Sequence, residues 1–267
     1  MLILAINTAT INTQIALLEV GAAGRLAAHP GVPPTPVVAA AATKTARRVI
    51  WEKEWKSNYN EAEKILPAIK TALKKAEKLS AACASGAAMP GTELIPGMVF
   101  VVNGPGSFTG LRIGITVANC LAWAAGAGME ACTTFEYLRA AAPPAARART
   151  AVMLRAGGDF VAVAGPAAAS HAPAHEIILI SVLPEYFKKN KAIKYILADL
   201  KPEEKKKIKL PAGVKWMPQT LLGSFGKTVA ELLAAAPAAW PPAAPQNTIK
   251  PFYLQPPKIT QSKKPKF

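Results

Sequence analysis

Residues 104–114 read Gly-Pro-Gly-Ser-Phe-Thr-Gly-Leu-Arg-Ile-Gly and stand between two apolar segments. Met98 to Val102, before them, is typical of a short buried strand. Ile115 to Ala125, after them, is apolar nearly all round, which predicts a buried helix. A glycine-rich turn in this setting allows close approach of another backbone, or it presents the N-terminus of the helix to an anion.

Polar side chains within this turn suit an anion, but they do not decide between the two interpretations. Ser107 or Thr109 can cap the following helix, and Arg112 adds a planar, permanently charged donor. The turn has neither the Lys-Ser/Thr pair of a Walker A loop nor the spacing of a dinucleotide-binding fingerprint. A phosphate-binding loop and a turn whose glycines serve packing therefore both remain open.

Around the turn, the chain divides into two halves that each begin with a hairpin pattern. The hairpins are Leu2 to Ile6 with Thr13 to Val20, and Ala151 to Leu154 with Phe160 to Ala164. The other predicted elements are a strand at Arg47 to Trp55, helices at Glu61 to Lys78, Phe135 to Ala142 and Leu221 to Ala235, a loop over 79–97, and short elements at Ile177 to Phe187, Ile193 to Leu197 and Val214 to Met217. This order predicts two tandem α/β lobes.

The composition is that of a globular protein with a basic surface. Of 267 residues, 51% are hydrophobic and 18% charged, and the formal net charge is +16. Such an excess indicates either a polyanionic partner or a solvated basic surface, and the Lys-rich runs contain few aromatic residues for base stacking. The three cysteines show no CxxC spacing, which is typical of reduced thiols. We expect a cytoplasmic protein with no signal peptide and no membrane span.

The string GPGSFTGLRIG resembles the signature of the TsaB family, also called YeaZ. Further similarity lies in the opening strand and turn, Ile3 to Thr10, in Glu63 to Ile69, in Thr133 to Leu138 and in Pro251 to Gln255. The resemblance is strong over residues 1–20 and 60–140 and thin over 141–250. It implies an actin-like (ASKHA, ribonuclease H-like) α/β fold, with an N-terminal lobe at 1–130, a smaller α/β lobe at 131–255 and a basic disordered tail at 256–267.

The resemblance also implies a function. TsaB-like proteins are non-catalytic subunits that pair with the paralogue TsaD and are joined by the ATPase TsaE. The complex adds threonylcarbamoyl to the adenosine next to the tRNA anticodon, and tRNA is a partner only through the complex. A homodimer is expected as an alternative when TsaD is absent. Two N-terminal helices would form the partner interface, with residues Glu63, Leu66, Ile69, Lys70, Leu73, Ile113 and Val117.

Two departures from the family bear on nucleotide chemistry. The first strand ends in Asn7 where the family has Asp, and Gln255 stands where the family has Arg. An amide can donate hydrogen bonds but carries no charge for a metal–phosphate group. We therefore expect no cofactor beyond weak ATP or ADP binding. The vestigial phosphate-loop-like site would comprise Asn7, Thr8, Gly104, Gly106, Ser107, Thr109, Gly110 and Arg112.

The alternative is an actin-fold enzyme, either a small kinase or a metallopeptidase. A metallopeptidase needs converging ligands, and His171 and His175 have Pro173 between them, which disfavours a shared helical face. His29 stands alone, Asp159 suits the Gly157-Gly158 turn, and Asp199 lies near a Lys-rich segment. We therefore predict no metal site and no catalytic residue. An autonomous RNA-binding protein is a third hypothesis, supported by charge but by no RNA-binding signature.

Overall fold

Two five-stranded mixed sheets organise the chain. The computed structural model describes residues 1–20, 47–58, 60–83, 95–166, 175–235 and 248–255. The first sheet has the order β3-β2-β1-β4-β5 and comprises β1 Leu2–Asn7, β2 Asn12–Val20, β3 Arg47–Lys56, β4 Met98–Val102 and β5 Gly128–Cys132. Strands β1, β2 and β3 are antiparallel neighbours, whereas β4 and β5 continue the sheet in parallel with β1.

The second sheet has the order β10-β9-β6-β7-β8. Its strands are β6 Thr150–Gly157, β7 Phe160–Ala164, β8 His175–Leu179, β9 Tyr195–Asp199 and β10 Lys215–Trp216. The predicted hairpin between β6 and β7 is present, and it turns at Gly157 and Gly158 with φ angles of 93° and 56°. Both angles lie in the left-handed region that glycine adopts without steric cost.

Seven helices accompany the sheets in the described part of the chain. They are α1 Glu61–Cys83, α2 Phe108–Ala125, α3 Thr134–Ala141, α4 Pro144–Arg147, α5 Leu183–Lys189, α6 Pro202–Lys207 and α7 Phe225–Ala235, with short 3₁₀ turns at Ile180–Val182 and Gln219–Leu221. Helices α1 and α2 pack on the first sheet and on each other. In α1, buried residues such as Ile65, Ile69 and Ala72 recur at helical spacing, as the sequence predicts.

Two predictions about these elements were wrong, and one strand was missed. The loop expected over 79–97 begins later, because α1 continues to Cys83. Residues 221–224 do not belong to α7, which begins at Phe225 after a 3₁₀ turn. Strand β5 was not predicted, since its five residues alternate too little to show a period.

The helix expected to be buried all round, α2, is buried along one side only. Leu111, Ile115, Ala118 and Ala122 pack inward, whereas Trp123 is 81% exposed. By length and a mean hydropathy of 1.2, α2 is the one helix within the described ranges that could cross a membrane. Its inner side instead covers β1, β4 and β5, which is the arrangement of a helix in a globular domain.

The chain returns to the first sheet after completing the second. Helix α7 packs on β2 and β3, and the guanidinium of Arg47 donates to the carbonyl of Leu233 at 3.2 Å. Phe225 and Tyr253 join the core of the first sheet. The predicted boundary at residue 130 lies within β5, the last strand of the first sheet. Helix α7 and residues 248–255 come after that boundary but pack against the first sheet. The predicted tail, 256–267, and residues 21–46 lie outside the described residues.

Candidate functional site: the glycine-rich turn and the α1–α2 surface

The glycine-rich turn packs against the β1–β2 turn. A Cβ atom at Gly106 would overlap the backbone carbonyl of Ala9, and one at Gly114 would overlap the hydroxyl of Thr8. The backbone N–H of Ser107 donates to the Ala9 carbonyl at 3.1 Å. Gly106 thus permits close approach of two backbones, and Gly114 permits close approach of the Thr8 side chain to α2.

Some of the free N–H groups at the start of α2 are hydrogen-bonded within the chain. The Ser107 hydroxyl accepts from the N–H of Gly110 at 3.2 Å, so Ser107, and not Thr109, caps the helix. Gly110 lies directly against the Thr8 carbonyl. Ser107 and Thr109 are exposed at the helix N-terminus. The turn therefore has the features of a structural junction, with only its outer rim open to solvent.

Asn7 lies at the end of β1 and is fully buried. Its side-chain N–H groups donate to the Thr10 hydroxyl at 3.0 Å and to the Gln14 carbonyl oxygen at 2.8 Å. The side-chain oxygen of Asn7 accepts from the N–H of Ala9 at 3.0 Å. The amide thus closes the β1–β2 turn on itself, and both of its polar atoms have partners within the chain.

Gln14 connects this hydrogen-bond network to α3 and to β3. Its side-chain oxygen also accepts from the hydroxyl of Tyr137 in α3 at 2.8 Å, and its N–H donates to Glu54 in β3 at 2.8 Å. Burial raises the pKa of Tyr137 above its ordinary range, so the phenol is a permanent donor here. The polar core beside Asn7 is therefore fixed by hydrogen bonds between separate elements.

Arg112 lies exposed in the first turns of α2. Its guanidinium carbon stands 3.9 Å from the centre of the Phe108 ring, and its Nε donates to the hydroxyl of Tyr253 at 3.4 Å. The Tyr253 ring in turn packs on Phe108 at 5.1 Å between centroids. The Arg112 hydrogen bond and the Phe108–Tyr253 ring contact thus join α2 to residues 248–255, and the cation–π contact holds Arg112 against Phe108 within α2.

The segment 248–255 lies along α2 and the glycine-rich turn. Ile249 exchanges two hydrogen bonds with the side chain of Asn119, at 2.9 and 3.0 Å. The N–H of Phe252 donates to the carbonyl of Asn103 at 2.8 Å. These contacts explain why Pro251 to Gln255, far away in sequence, belongs with the turn at 104–114.

Asp199, at the end of β9, contacts the β1–β2 turn from the second sheet. Both of its carboxylate oxygens accept from the N–H of Ile11, at 3.0 and 3.2 Å. Burial raises the pKa of Asp199 to about 6, while the Ile11 hydrogen bond and Lys205 act in the opposite direction. The sequence placed Asp199 only beside a Lys-rich segment, and no local signal pointed to this contact.

The predicted interface residues divide between surface and core. Leu66 is 54% exposed, Glu63 and Lys70 are exposed, and Leu73, Ile113 and Val117 are partly buried. Ile69 is only 3% exposed and packs in the core beneath α1. Its assignment to the interface is therefore corrected, because a side chain buried by its own sheet cannot contact a partner.

Two exposed aromatic residues on α2 were missed as interface candidates. Phe108 and Trp123 are both exposed, and they lie on the same outward stripe as Arg112, Thr116 and Cys120. They were missed because the sequence predicts a helix that is buried on all sides. Together with the apolar residues of α1, they form the α1–α2 surface, which comprises Leu66, Leu73, Phe108, Ile113, Val117 and Trp123.

Comparisons with known proteins agree with this architecture. Residues 58–165 match the sequence model of the family described as TsaD, tRNA N6-adenosine threonylcarbamoyltransferase. YeaZ from Pseudomonas aeruginosa is similar in structure, with a TM-score of 0.50 and 18% identity over 87% of this chain and 90% of that one. The chain has the YeaZ fold. The α/β fold that the resemblance to the TsaB/YeaZ family implies is therefore confirmed.

A second structure supports the same YeaZ fold. It is a Pseudomonas aeruginosa protein described as uncharacterized and similar to peptidase YeaZ, with a TM-score of 0.56 and 18% identity over 95% of this chain and 99% of that one. A search of curated proteins found no match. The two YeaZ-type structures thus correspond to this chain over nearly its whole length.

Of the three histidines, His175 is the one that the structure describes. His175 lies between the rings of Phe135 and Phe252, with centroids 5.2 and 6.1 Å away, while His29 and His171 lie outside the described residues. Among the side chains that the structure describes, no group of three or more His, Cys, Asp or Glu could hold a metal ion. Asp159 lies in the β6–β7 turn, as predicted.

Proposed function

We propose that this chain is the non-catalytic, activating subunit of a TsaB-type complex. In this proposal it pairs with a TsaD paralogue, is joined by the ATPase TsaE, and supports transfer of threonylcarbamoyl to the adenosine next to the tRNA anticodon. The TsaD-type sequence match and the YeaZ fold support a member of this pathway. The exposed α1–α2 surface is the observation that carries the proposed role.

The α1–α2 surface has the composition of a protein interface. It presents an exposed leucine and two exposed aromatic residues on adjacent helices, with Glu63 and Lys70 at its margin. Interface centres are enriched in aromatic residues, and charged residues concentrate at the rim. Leaving Trp123 81% exposed gives no packing energy to the isolated chain. A partner that covers this surface accounts for its composition, and a second copy of the chain would use the same helices.

The arrangement around Asn7 favours a non-catalytic role for this chain and disfavours phosphoryl transfer. An active member of this fold needs a charged group at the end of β1 to handle a metal-bound phosphate. Here that position is an amide whose polar atoms are satisfied by Thr10, Gln14 and Ala9. Weak binding of ATP or ADP near Ser107 and Thr109 remains part of the proposal, without a catalytic function.

Reconstitution of tRNA threonylcarbamoylation tests the proposal. The assay contains the cognate TsaD, TsaE, the adenylate-forming enzyme and unmodified tRNA, with and without this chain. We expect product only when the chain is present and no turnover by the chain alone. Product formed equally well in its absence would refute the activating role, and turnover by the chain alone would favour the enzyme alternative.

A matched pair of variants connects the assay to the surface. Leu66→Ser changes a residue of the α1–α2 surface that is 54% exposed. Leu221→Ser makes the same change at a residue that is 56% exposed and lies outside the α1–α2 surface. We expect Leu66→Ser to weaken the TsaD complex at least tenfold by sedimentation, which corresponds to about 1.4 kcal/mol, and Leu221→Ser to leave it unchanged. Equal behaviour of the two variants would place the interface elsewhere.

A further inference from the structure

A cavity of about 420 Å³ lies beside the second sheet, and none of its lining residues belongs to the glycine-rich turn or to the α1–α2 surface. Its walls are the β6–β7 turn at Asp159, the end of β8 with the following 3₁₀ turn at 179–181, the start of α5 at Pro184, and the end of α6 at Lys207 and Lys209. Pockets for small ligands measure about 300–1,000 Å³. The cavity therefore has the size of a site for a small molecule.

The backbone of the cavity walls is fixed on two sides. The N–H of Ile180 donates to the Asp159 carbonyl at 2.9 Å, which joins the β6–β7 turn to the 3₁₀ turn after β8. On the other side, Ile208 is 5% exposed in the core of the second sheet and has an extended backbone. Alternate residues of extended backbone point the same way, so Lys207 and Lys209 lie on one side of this buried anchor.

Three charged side chains line the cavity without pairing with one another. Asp159, Lys207 and Lys209 are exposed, and none of them takes part in an ion pair among the described residues. A simple anion would be attracted by the two lysines and repelled by the aspartate, and a simple cation would meet the reverse. A ligand that carries both signs of charge at separate points compensates all three side chains.

The rest of the cavity wall is mainly apolar. Leu179 is 42% exposed at the end of β8, and Ile180 and Pro184 are partly exposed. The hydroxyl of Ser181 adds one group that can both donate and accept a hydrogen bond. A mainly apolar lining with a few polar groups is typical of small-ligand sites. An aliphatic group of the ligand, placed against Leu179, would remove apolar surface of both from water.

The place of the cavity in the fold is also that of a ligand site. Strands β6 and β9 are parallel neighbours that end at Gly157 and Asp199. Asp159 follows the end of β6, and Lys207 follows the end of β9 by way of α6. In open α/β sheets, ligands bind in the crevice outside the carboxyl ends of the strands.

We propose that this cavity, the β8–α6 cavity, binds a small zwitterionic peptide of dipeptide size with an aliphatic side chain. The peptide carboxylate lies between Lys207 and Lys209, its ammonium group lies at Asp159, and its aliphatic side chain packs on Leu179. The hydroxyl of Ser181 hydrogen-bonds the peptide unit. A dipeptide separates its terminal charges by up to about 7 Å, which suits opposite charges on the cavity wall that do not contact each other. The inference is independent of the proposed function, and its test needs no partner protein.

A titration of the full chain with alanyl-leucine tests the proposal by NMR. We expect saturable shifts of the N–H signals of Ile180 and Ser181 with a Kd of about 1 mM or tighter, a value typical of a ligand this small. N-acetyl-alanyl-leucine lacks the ammonium group, and alanyl-leucinamide lacks the carboxylate. Each should bind at least threefold more weakly. Equal affinity for all three peptides, tighter binding of free leucine, or no saturation at ten times the expected Kd would overturn the proposal.

A matched pair of variants tests the two lysines. Lys207→Gln with Lys209→Gln removes the two cations of the cavity, and Lys53→Gln with Lys56→Gln removes two exposed cations on β3. We expect the cavity variant to bind alanyl-leucine about tenfold more weakly, because ion pairs at an open site are individually weak. It should bind alanyl-leucinamide as the wild type does, and the β3 variant should bind every peptide as the wild type does. Equal losses in the two variants would show only the effect of net charge and would overturn the assignment.

Asp159→Asn tests the opposite end of the ligand. This variant should bind alanyl-leucine about threefold more weakly and should bind N-acetyl-alanyl-leucine unchanged, because acetylation has already removed the charge that Asp159 compensates. An equal loss for both peptides would contradict the place of the ammonium group. Thermal unfolding checks that each variant folds. The three peptides on the wild-type chain decide the proposal even where a variant does not fold.

Discussion

The N–H of Ile11, in the β1–β2 turn, donates to both carboxylate oxygens of Asp199, at the end of β9, across 188 residues of sequence. This contact joins the first sheet to the second at the same turn that Asn7 stabilises and that the glycine-rich segment covers. Three separate parts of the chain thus meet at residues 8–11. Asp199, whose pKa is raised to about 6 by burial, is therefore a titratable group at the junction of the sheets.

We expect Asp199→Asn to reduce the pH dependence of stability. Because the pKa of Asp199 is raised to about 6, the folded chain holds this proton more tightly than the unfolded chain, where an Asp pKa is about 3.9. The resulting stabilisation is fully present below about pH 4 and is lost as pH rises through 6, at most about 3 kcal/mol. Asn keeps an acceptor for Ile11 and does not titrate.

Urea unfolding at pH 4.5 and 7.5 measures this effect. At each pH, the unfolding free energy of the variant is compared with that of the wild type. This comparison should favour the variant by about 2 kcal/mol more at pH 7.5 than at pH 4.5. Asp159→Asn, which removes a carboxylate at an exposed turn, serves as the control for the substitution itself. A constant difference between wild type and Asp199→Asn would contradict the prediction.

Gly106→Ala should destabilise the fold by about 2 kcal/mol or more, because the added methyl group would overlap the backbone carbonyl of Ala9 and neither backbone can move aside easily. Gly165→Ala is the matched control, since a Cβ there would meet only the Tyr186 hydroxyl at 4.0 Å. Denaturant midpoints of the two variants measure the contrast. Similar midpoints would show that the glycine-rich turn does not depend on this close approach.

Asn7→Asp should not create a working phosphate site. A buried aspartate would lose the two hydrogen bonds that Asn7 donates to Thr10 and Gln14, and it would face the Gln14 oxygen with a negative charge. We expect a loss of about 2–4 kcal/mol in unfolding free energy and no measurable ATP turnover.

The control for this charge is Asn190→Asp, which loses one exposed hydrogen bond to the Tyr186 carbonyl. That substitution should cost less than about 1 kcal/mol. Calorimetric unfolding compares the two variants. A stable Asn7→Asp protein that binds Mg-ATP tightly would show that the β1–β2 turn can still adopt an active arrangement.

Ile69→Ala and Leu66→Ala should have opposite consequences although both residues belong to α1. Ile69 is 3% exposed in the core, and its truncation should cost about 2–4 kcal/mol of stability. Leu66 is exposed, and its truncation should change stability by less than about 0.5 kcal/mol while weakening self-association or partner binding. Chemical unfolding and sedimentation together separate the two effects, and a stability loss at Leu66 would contradict the assigned surface.

Much of the secondary structure follows from local pattern. Both hairpins, β3, β4, α1 and α3 occur where the sequence predicts them, because alternation and helical spacing depend only on near neighbours. The burial of α2 does not follow, since its outward stripe also carries large apolar residues, Phe108 and Trp123. Ile69 and Leu66 likewise share one predicted apolar face, and the angle at which α1 meets the sheet decides which of them is buried.

An α/β fold, the position of the glycine-rich turn and the amide at the end of β1 could be predicted from the sequence, because they depend on residue identity and order along the chain. The hydrogen bonds of Asn7 within the β1–β2 turn and the contact of Asp199 with Ile11 could not be predicted in this way. The physical reason is that each of these arrangements joins residues distant in sequence. Strand pairing and helix packing, and no local propensity, bring them together.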